Sequence, residues 1–141
     1  MNKSIYPCLW FDGAAKEAAS FYCSIFENSK ITFDSPLVVK FELNGAEFMG
    51  LNGGSKFKFT EALSYVIECE TQDEIDNYWS KLTADGGNEI MCGWLKDKYG
   101  MFWQVVPSII GKLMSDPEKA SRVMQVIQHM KKINIQALLN A

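Results

Sequence analysis

The stretch GWLKDKYGMFWQVVP, residues 93–107, decides how this chain folds. Two runs rich in aromatic and aliphatic residues flank Asp97–Gly100, a pattern typical of two strands joined by a tight turn. Each arm carries one tryptophan, Trp94 or Trp103, and Gln104 follows the second. Because large aromatic side chains serve both in cores and in the walls of pockets, the hairpin could close a core or line a binding site.

Outward from this hairpin, the first half of the chain predicts a strand, a helix and another hairpin. Residues 5–11 are a short apolar run that predicts the strand. Residues 14–26 have apolar side chains at the spacing of one helix face, with Asp12 as the expected N-cap. Asn44-Gly45 is the strongest short hairpin signal, because both positions tolerate positive φ, and it joins arms at 35–43 and 46–51.

The second half predicts the same order after a glycine-rich link. Residues 62–70 predict a strand, and residues 71–87 predict a helix that begins with a capping box of Thr71 and Glu74. The hairpin of the opening stretch follows, with arms at 88–96 and 101–106. A unit of this kind with one apolar sheet face would not be stable alone. We therefore predict one α+β domain in which two such units form a curved sheet, with helices outside and a cavity inside.

The C-terminal tail has a different character from the two units. Its main helix, residues 115–132, has Pro117 in the first turn, and Asn134 could cap a last short helix. This face could cover the chain's own sheet or a partner subunit, and the pattern leaves both open. The apolar face of the helix consists of Val123, Val126, Ile127, Met130 and Ile133.

Composition argues against several classes of partner. The chain has 141 residues, with 14 Lys and Arg against 17 Asp and Glu and a net charge of −3. It has no basic stripe of the kind that binds nucleic acid. No apolar stretch approaches the roughly 20 residues of a membrane helix, and the N-terminal apolar run is too short for a signal peptide. We therefore predict a cytoplasmic protein without nucleic-acid or membrane partners.

The cysteines give no sign of a redox or zinc pair. No two of them have CxxC spacing, and free cysteines in a reducing compartment act mostly as small buried hydrophobic residues. A reactive thiol at Cys8 or Cys92 stays open as an alternative. The full set is Cys8, Cys23, Cys69 and Cys92.

Several stretches resemble a known family. They are CLWFDGAAKEAASFYCSIF (8–26), FMGLNGGSKFKF (48–59), SYVIECET (64–71), YWSKL (78–82) and CGWLKDKYGMFWQVVP (92–107). The chain resembles, to about residue 140, the vicinal oxygen chelate superfamily of glyoxalase I, extradiol dioxygenases and bleomycin-resistance proteins. Within it the stretches are similar to the PhnB-like branch, catalogued as 3-demethylubiquinone-9 3-methyltransferase-like. The resemblance implies paired βαβββ modules at about residues 1–54 and 60–107, with a helical tail at about 108–141.

The resemblance also implies a place for a divalent metal, near the middle of the curved sheet. Relatives supply His, Gln or Glu from the starts of first strands and from late strands. Here the first strand of module one and the start of the first strand of module two offer no such ligand. The late-strand positions hold Met49 and Gln104, the latter where metal-binding relatives carry glutamate. The single histidine, His129, lies in the tail. Because one amide oxygen cannot hold a transition metal, we predict no metal and no cofactor.

The methyltransferase label is tested by the glycine-rich stretch MGLNGG. Cofactor-binding glycines commonly join a strand to a helix, whereas MGLNGG leads into SKFKF. We therefore expect no S-adenosylmethionine site there. Tandem glycines still allow backbone to approach a ligand closely, and a concave aromatic face is typical of small-molecule sites. The candidate pocket residues are Trp10, Asn52, Gly53, Gly54, Phe57, Trp94, Trp103 and Gln104.

Three functions fit these patterns. The first is a metal-free protein that binds a small apolar or aromatic molecule in an aromatic pocket. The second is a divalent-metal-dependent lyase, isomerase or dioxygenase whose ligands are unexpected residues. The third is a purely structural or interaction module whose own aromatic side chains fill the pocket. For single residues the alternatives are an outer-face position of Gln104 and a simple turn between modules at the glycines. Relatives commonly dimerise, and open sheet edges favour pairing, so we also predict a homodimer.

Overall fold

A computed structural model describes residues 3–141. The chain divides into two compact units, one that ends at Phe59 and one that starts at Thr60. Each contains a four-stranded mixed sheet, so the predicted α+β class and the paired βαβββ modules are confirmed. The joining of the two sheets into one curved sheet stays a prediction.

In the first unit the strand order is β1-β4-β3-β2, with β1 parallel to β4. The sequence patterns did not predict β2, because its side chains are largely exposed and do not alternate in burial. The elements are β1 Cys8–Phe11, α1 Ala15–Ile25, β2 Lys30–Asp34, β3 Val38–Leu43 and β4 Ala46–Asn52.

One face of this sheet packs against α1. Val39, Phe41 and Leu43 of β3 alternate with half-buried neighbours, as expected for a strand with one covered face. Gly50 lies where α1 approaches most closely, since a Cβ there would be 3.1 Å from the Ala15 Cβ. Register and alternation place the opposite set on what we call the first helix-free face: Cys8, Trp10, Val38, Lys40, Met49 and Leu51.

The expected N-cap of α1 is wrong. The helix begins after Ala14, which makes no side-chain cap. Instead the Asn52 Oδ1 atom, from the end of β4, accepts the Ala15 N–H at 2.9 Å. A cap supplied from another element has no local sequence signal, whereas Asp12 had the local pattern of one.

In the second unit the strand order is β5-β8-β7-β6, again with the first and last strands parallel. The predicted Thr71 cap is confirmed, because Thr71 Oγ1 accepts the Glu74 N–H at 3.2 Å. The Glu74 carboxylate accepts the Glu70 N–H, one residue before the cap. The elements are β5 Tyr65–Cys69, α2 Gln72–Thr83, β6 Asn88–Glu89, β7 Trp94–Lys96, β8 Phe102–Pro107, α3 Ile110–Leu113, α4 Pro117–Ile127 and α5 Ile135–Leu139, with a 3₁₀ turn at Ala84–Gly86.

The predicted continuous arm 88–96 is wrong, because it breaks between β6 and β7. Cys92 and Gly93 adopt left-handed φ values of 63° and 82°, which strands do not use. Their N–H groups donate to the carbonyls of Met130 and Lys131 in the tail, at 2.7 and 2.9 Å. The tail therefore supplies the acceptors at the point where the strand is interrupted.

The tail packs on its own unit, one of the two places that the sequence left open. Gln72 at the start of α2 donates to the Ile133 carbonyl and accepts the Ile135 N–H. Lys132 forms an ion pair of 2.8 Å with Asp76, and hydrogen bonds from Lys132 and Gln72 lower the pKa of that carboxyl. The apolar residues of the tail form one buried cluster: Leu113, Val123, Ile127, Ile133 and Leu138.

Candidate functional site

Four predicted pocket residues meet in the first unit. The Trp10 indole N–H donates to the Gly54 carbonyl at 2.8 Å, and the Phe57 ring lies edge-on to Trp10 with centroids 4.8 Å apart. A Cβ at Gly53 would lie 2.3–2.5 Å from three atoms of the Trp10 ring. The close approach that the tandem glycines permit is therefore to the protein's own tryptophan.

Asn52 links this cluster to the rest of the unit. Its Oδ1 atom accepts the Ala15 N–H, and its Nδ2 atom donates to the Pro36 carbonyl at 2.9 Å. Both ends of the amide are thus engaged in holding α1 and the β2–β3 turn. A direct contact between this side chain and a ligand would require one of these bonds to break.

The first helix-free face is mostly apolar. Register places Cys8, Met49 and Lys40 side by side across three strands, and Trp10, Leu51 and Val38 in the next row. The Lys40 ammonium lies over the Tyr6 ring, 5.3 Å from its centroid, as in a weak cation–π contact. At the turn end of this sheet is a polar cavity of about 380 Å³, lined by Thr32, Glu42, Gly45 and Glu47.

The sheet of the second unit has a face that points away from α2, which we call the second helix-free face; the tail reaches only its Val106 end. Its middle row is Trp94, Gln104 and Val66, which are direct neighbours on β7, β8 and β5. The Val66 side chain is exposed by 54%, and Trp94 and Gln104 are half-buried. Strand alternation adds Phe102 and Val106 on either side of Gln104, and Ser64, Glu68 and Lys96 lie around the border.

Gln104 is held in place by Ser64. The Gln104 Nε2 atom donates to the Ser64 Oγ atom at 2.9 Å, and no other hydrogen bond of the Gln104 side chain occurs within residues 3–141. Because the amide has a donor NH₂ group and an acceptor oxygen, its donor end bonds Ser64 and its acceptor end has no protein partner within residues 3–141. Sequence reasoning missed Ser64, since its role depends on the parallel pairing of β5 with β8.

Trp103 lies on the opposite, helix-covered face. It is only 4% exposed, and its indole N–H donates to the Asp97 Oδ2 atom at 2.9 Å. Asp97 also caps the predicted turn at Asp97–Gly100, because its Oδ1 atom accepts the N–H groups of Tyr99 and Met101 at 2.8 and 3.0 Å. The structure therefore places Trp103 in the core, away from the face that carries Trp94 and Gln104.

The residues at the family's metal positions do not fit a metal ion. Within residues 3–141, no three His, Cys, Asp or Glu side chains are grouped as a metal site requires. Met49 lies on the sheet of the first unit and Gln104 on the sheet of the second. His129 follows α4 on the exposed side of the tail. A thioether and a single amide are a poor set for the divalent metals that carboxylate and imidazole ligands hold.

The thiols should differ in reactivity. Burial and the nearby Glu74 carboxylate raise the pKa of Cys69 to about 11, and this residue is fully buried. Burial also raises the pKa of Cys8, but Cys8 is exposed. Because the thiolate is the reactive form, we expect an alkylating reagent to modify Cys8 early and Cys69 only after unfolding. Peptide mass spectrometry of the native and denatured protein checks this order, and native labelling of Cys69 at pH 8 would contradict it.

No helix among residues 3–141 has both the length and the apolar character needed to cross a membrane.

A family profile described as 3-demethylubiquinone-9 3-methyltransferase matches residues 3–106. No curated protein is significantly similar to the chain.

Solved structures show the same fold. A PhnB protein from Bacillus cereus is 35% identical, with a TM-score of 0.68, over 75% of this chain and 100% of its own. A glyoxalase-related enzyme from Fulvimarina pelagi is 13% identical, with a TM-score of 0.58, over 78% of this chain and 91% of its own. The fosfomycin resistance protein FosX from Listeria monocytogenes, complexed with Mn(II) and sulfate, is 14% identical, with a TM-score of 0.60, over 82% of this chain and 98% of its own. The last two identities indicate a shared fold only.

Proposed function

This chain belongs to the 3-demethylubiquinone-9 3-methyltransferase family, the PhnB-like branch of the vicinal oxygen chelate superfamily, and we propose that it binds a small aromatic molecule without a metal ion. The observation that carries the proposal is the Trp94–Gln104 pair on the second helix-free face. Trp94 offers a ring for stacking. Gln104, fixed by Ser64, offers one hydrogen-bonding group in an apolar frame, which is the usual composition of small-molecule sites.

The metal-free character of the proposal rests on ligand chemistry. A Lewis-acid site needs several protein ligands together with open positions. The late-strand positions supply Met49 and Gln104, and the first strands β1 and β5 supply no carboxylate or imidazole on the helix-free faces apart from Glu68 at a border. FosX, whose structure contains Mn(II), is only 14% identical to this chain. The likeness supports a shared fold and does not support a shared metal site.

The proposal does not include methyl transfer. The N-terminus of α1, which follows β1, is closed by the Asn52 side chain on the Ala15 N–H. Gly53 and Gly54 contact Trp10 and lead into residues without helical structure. Neither of these two places therefore forms the glycine-rich strand-to-helix turn that brings backbone close to a nucleotide-like cofactor. Isothermal titration with S-adenosylmethionine should give no binding heat.

Replacing Gln104 by leucine is expected to weaken binding of 2-naphthol, a neutral hydroxylated aromatic probe, by about fivefold. Leucine keeps the volume and removes the hydrogen bond, and the net free energy of one such bond is about 1 kcal/mol. Tryptophan fluorescence or titration calorimetry measures the dissociation constant. The matched control is Gln125→Leu on the exposed side of α4, which should bind like the wild type. Equal affinity of all three proteins would contradict the role of Gln104.

The metal content of the purified protein distinguishes a metal-free binding protein from the alternative, a metal-dependent enzyme. The proposal expects 2-naphthol affinity to be the same with chelator and with added Mn(II), Zn(II) or Ni(II), and expects no stoichiometric metal in the purified protein. Metal bound at one ion per chain, and lost in Gln104→Leu, would favour the enzyme. The cytoplasmic location, the homodimer and the lack of a nucleic-acid partner stay predictions from the sequence.

A further inference from the structure

We propose that the C-terminal tail, residues 108–141, limits the length of the ligand that the second helix-free face accepts, an inference that rests on the function proposed above. The tail starts directly after β8. Its buried cluster packs against Val106, the last residue of β8 on that face. The tail therefore covers the face at the end that lies beyond Gln104.

The position of Val106 follows from strand register. Gln104 pairs with Val66 and Val106 pairs with Glu68, so Gln104 and Val106 point to the same side of the sheet. Two residues along a strand span about 7 Å, which puts Val106 one side chain away from the proposed hydrogen-bonding group. Phe102 lies at the same distance in the other direction, so the strip between the two flanking residues is about 13 Å long.

The tail is fixed firmly enough to act as a wall. Two of its carbonyls accept the N–H groups of Cys92 and Gly93 in the strand break. Gln72 binds the backbone of Ile133 and Ile135 from the other side. A Cβ at Gly93 would lie 2.8 Å from the Ile133 side chain, so the tail and the strand break are packed without space between them.

The tail lies outside the part of this chain that the family profile matches. The family profile ends at residue 106, which is the residue that the tail covers. The Bacillus cereus PhnB structure is matched over its full length by 75% of this chain. A size limit set by the tail would therefore distinguish this chain from relatives that share only the paired modules.

The frame around Gln104 also indicates the chemical class of the ligand. Its nearest neighbours on the face are Trp94, Val66, Phe102 and Val106, and the charged Glu68 and Lys96 lie at the border. Burying a charge in an apolar frame is costly, whereas one hydroxyl or carbonyl would pair with the amide. A flat, neutral aromatic molecule with one such group, no longer than the strip, fits these constraints.

The experiment compares phenol, 2-naphthol and the longer 4-phenylphenol by titration calorimetry with the full-length chain. Wild type should bind 2-naphthol at least about tenfold more tightly than 4-phenylphenol. In Val106→Ala the ratio of these two dissociation constants should fall about fivefold or more, because the shorter side chain lengthens the strip. In Val106→Phe, 2-naphthol should be lost and phenol retained. The matched control is Val126→Ala, a partly buried valine of α4 that packs against the same cluster but is not part of the sheet, and its ratio should stay within twofold of wild type.

The outcomes separate the inference from the proposed function. If wild type binds the phenols but Val106→Ala and Val126→Ala have the same ratio, the Val106 end of the strip, against which the tail packs, does not set the limit. Only the inference then fails. If wild type binds none of the three probes, the proposed function fails and the inference fails with it. Thermal unfolding of each variant, which should be cooperative, shows that the comparison is made between folded proteins.

Discussion

Replacing Gly53 by alanine is expected to destabilise the protein by about 3 kcal/mol, a large effect for one methyl group. The new Cβ would lie 2.3–2.5 Å from three atoms of the Trp10 ring, closer than non-bonded carbon atoms approach. The indole would have to move, which breaks its hydrogen bond to the Gly54 carbonyl and its edge-on contact with Phe57. Overpacking typically costs about 1–3 kcal/mol, and the lost hydrogen bond adds about 1 kcal/mol. Chemical denaturation measures the free energy of unfolding.

Gly54→Ala is the matched control, because it separates steric overlap from backbone strain. Gly54 has a φ of +97° but nothing within 4 Å of an added Cβ, so alanine there should cost only about 1–2 kcal/mol of backbone strain. Trp10→Ala should also relieve the overlap, so Gly53→Ala should cost much less in that background. If Gly53→Ala and Gly54→Ala destabilise equally, the tryptophan seat is not what requires the glycine.

The sequence predicted those features of the fold that are written in local patterns. The repeated strand–helix–hairpin order, the Thr71 cap and the Asp97 turn all follow from residues within a few positions of one another, and each is present in the structure. The Asp12 cap failed because a residue 37 positions from Ala15 supplies the acceptor. The continuous strand at 88–96 failed for a similar reason, since the acceptors for Cys92 and Gly93 come from the tail.

The candidate site shows the same division. Aromatic and glycine patterns drew attention to Trp10, Gly53 and Trp94, but no pattern predicted which group each glycine or tryptophan contacts. Only the structure shows that Gly53 meets Trp10 and that Trp103 points away from Gln104. Sequence reasoning also missed Val66 and Val106, because ordinary β-branched residues in strands carry no functional signal and gain one only from their position beside Gln104.

Replacing Asp97 by asparagine is expected to destabilise the second unit by about 2 kcal/mol, and replacing it by alanine by about 4 kcal/mol. Asp97 is 2% exposed, and its carboxylate accepts three N–H groups. Asparagine keeps one acceptor oxygen for the N–H groups of Tyr99 and Met101. In place of the second oxygen it has an NH₂ group, which cannot accept the Trp103 N–H. Alanine leaves all three donors without this acceptor, and each unsatisfied buried donor costs about 1–3 kcal/mol. Urea unfolding, followed by circular dichroism, gives both values.

The double variant D97N/W103F tests whether the lost bond to Trp103 explains the asparagine effect. Phenylalanine has no N–H, so D97N should cost about 1–2 kcal/mol less in the W103F background than alone, as expected for two groups in direct contact. Asp85→Asn, at an exposed turn position with a φ of 56°, should change stability by less than about 0.5 kcal/mol. Because Asp97 fixes the turn between β7 and β8, D97N should also loosen the Trp94–Gln104 pair and weaken 2-naphthol binding. In the D97N background, binding should be nearly the same with phenylalanine or tryptophan at position 103. Additive effects of D97N and W103F on stability would show that the carboxylate holds the turn alone, without the tryptophan.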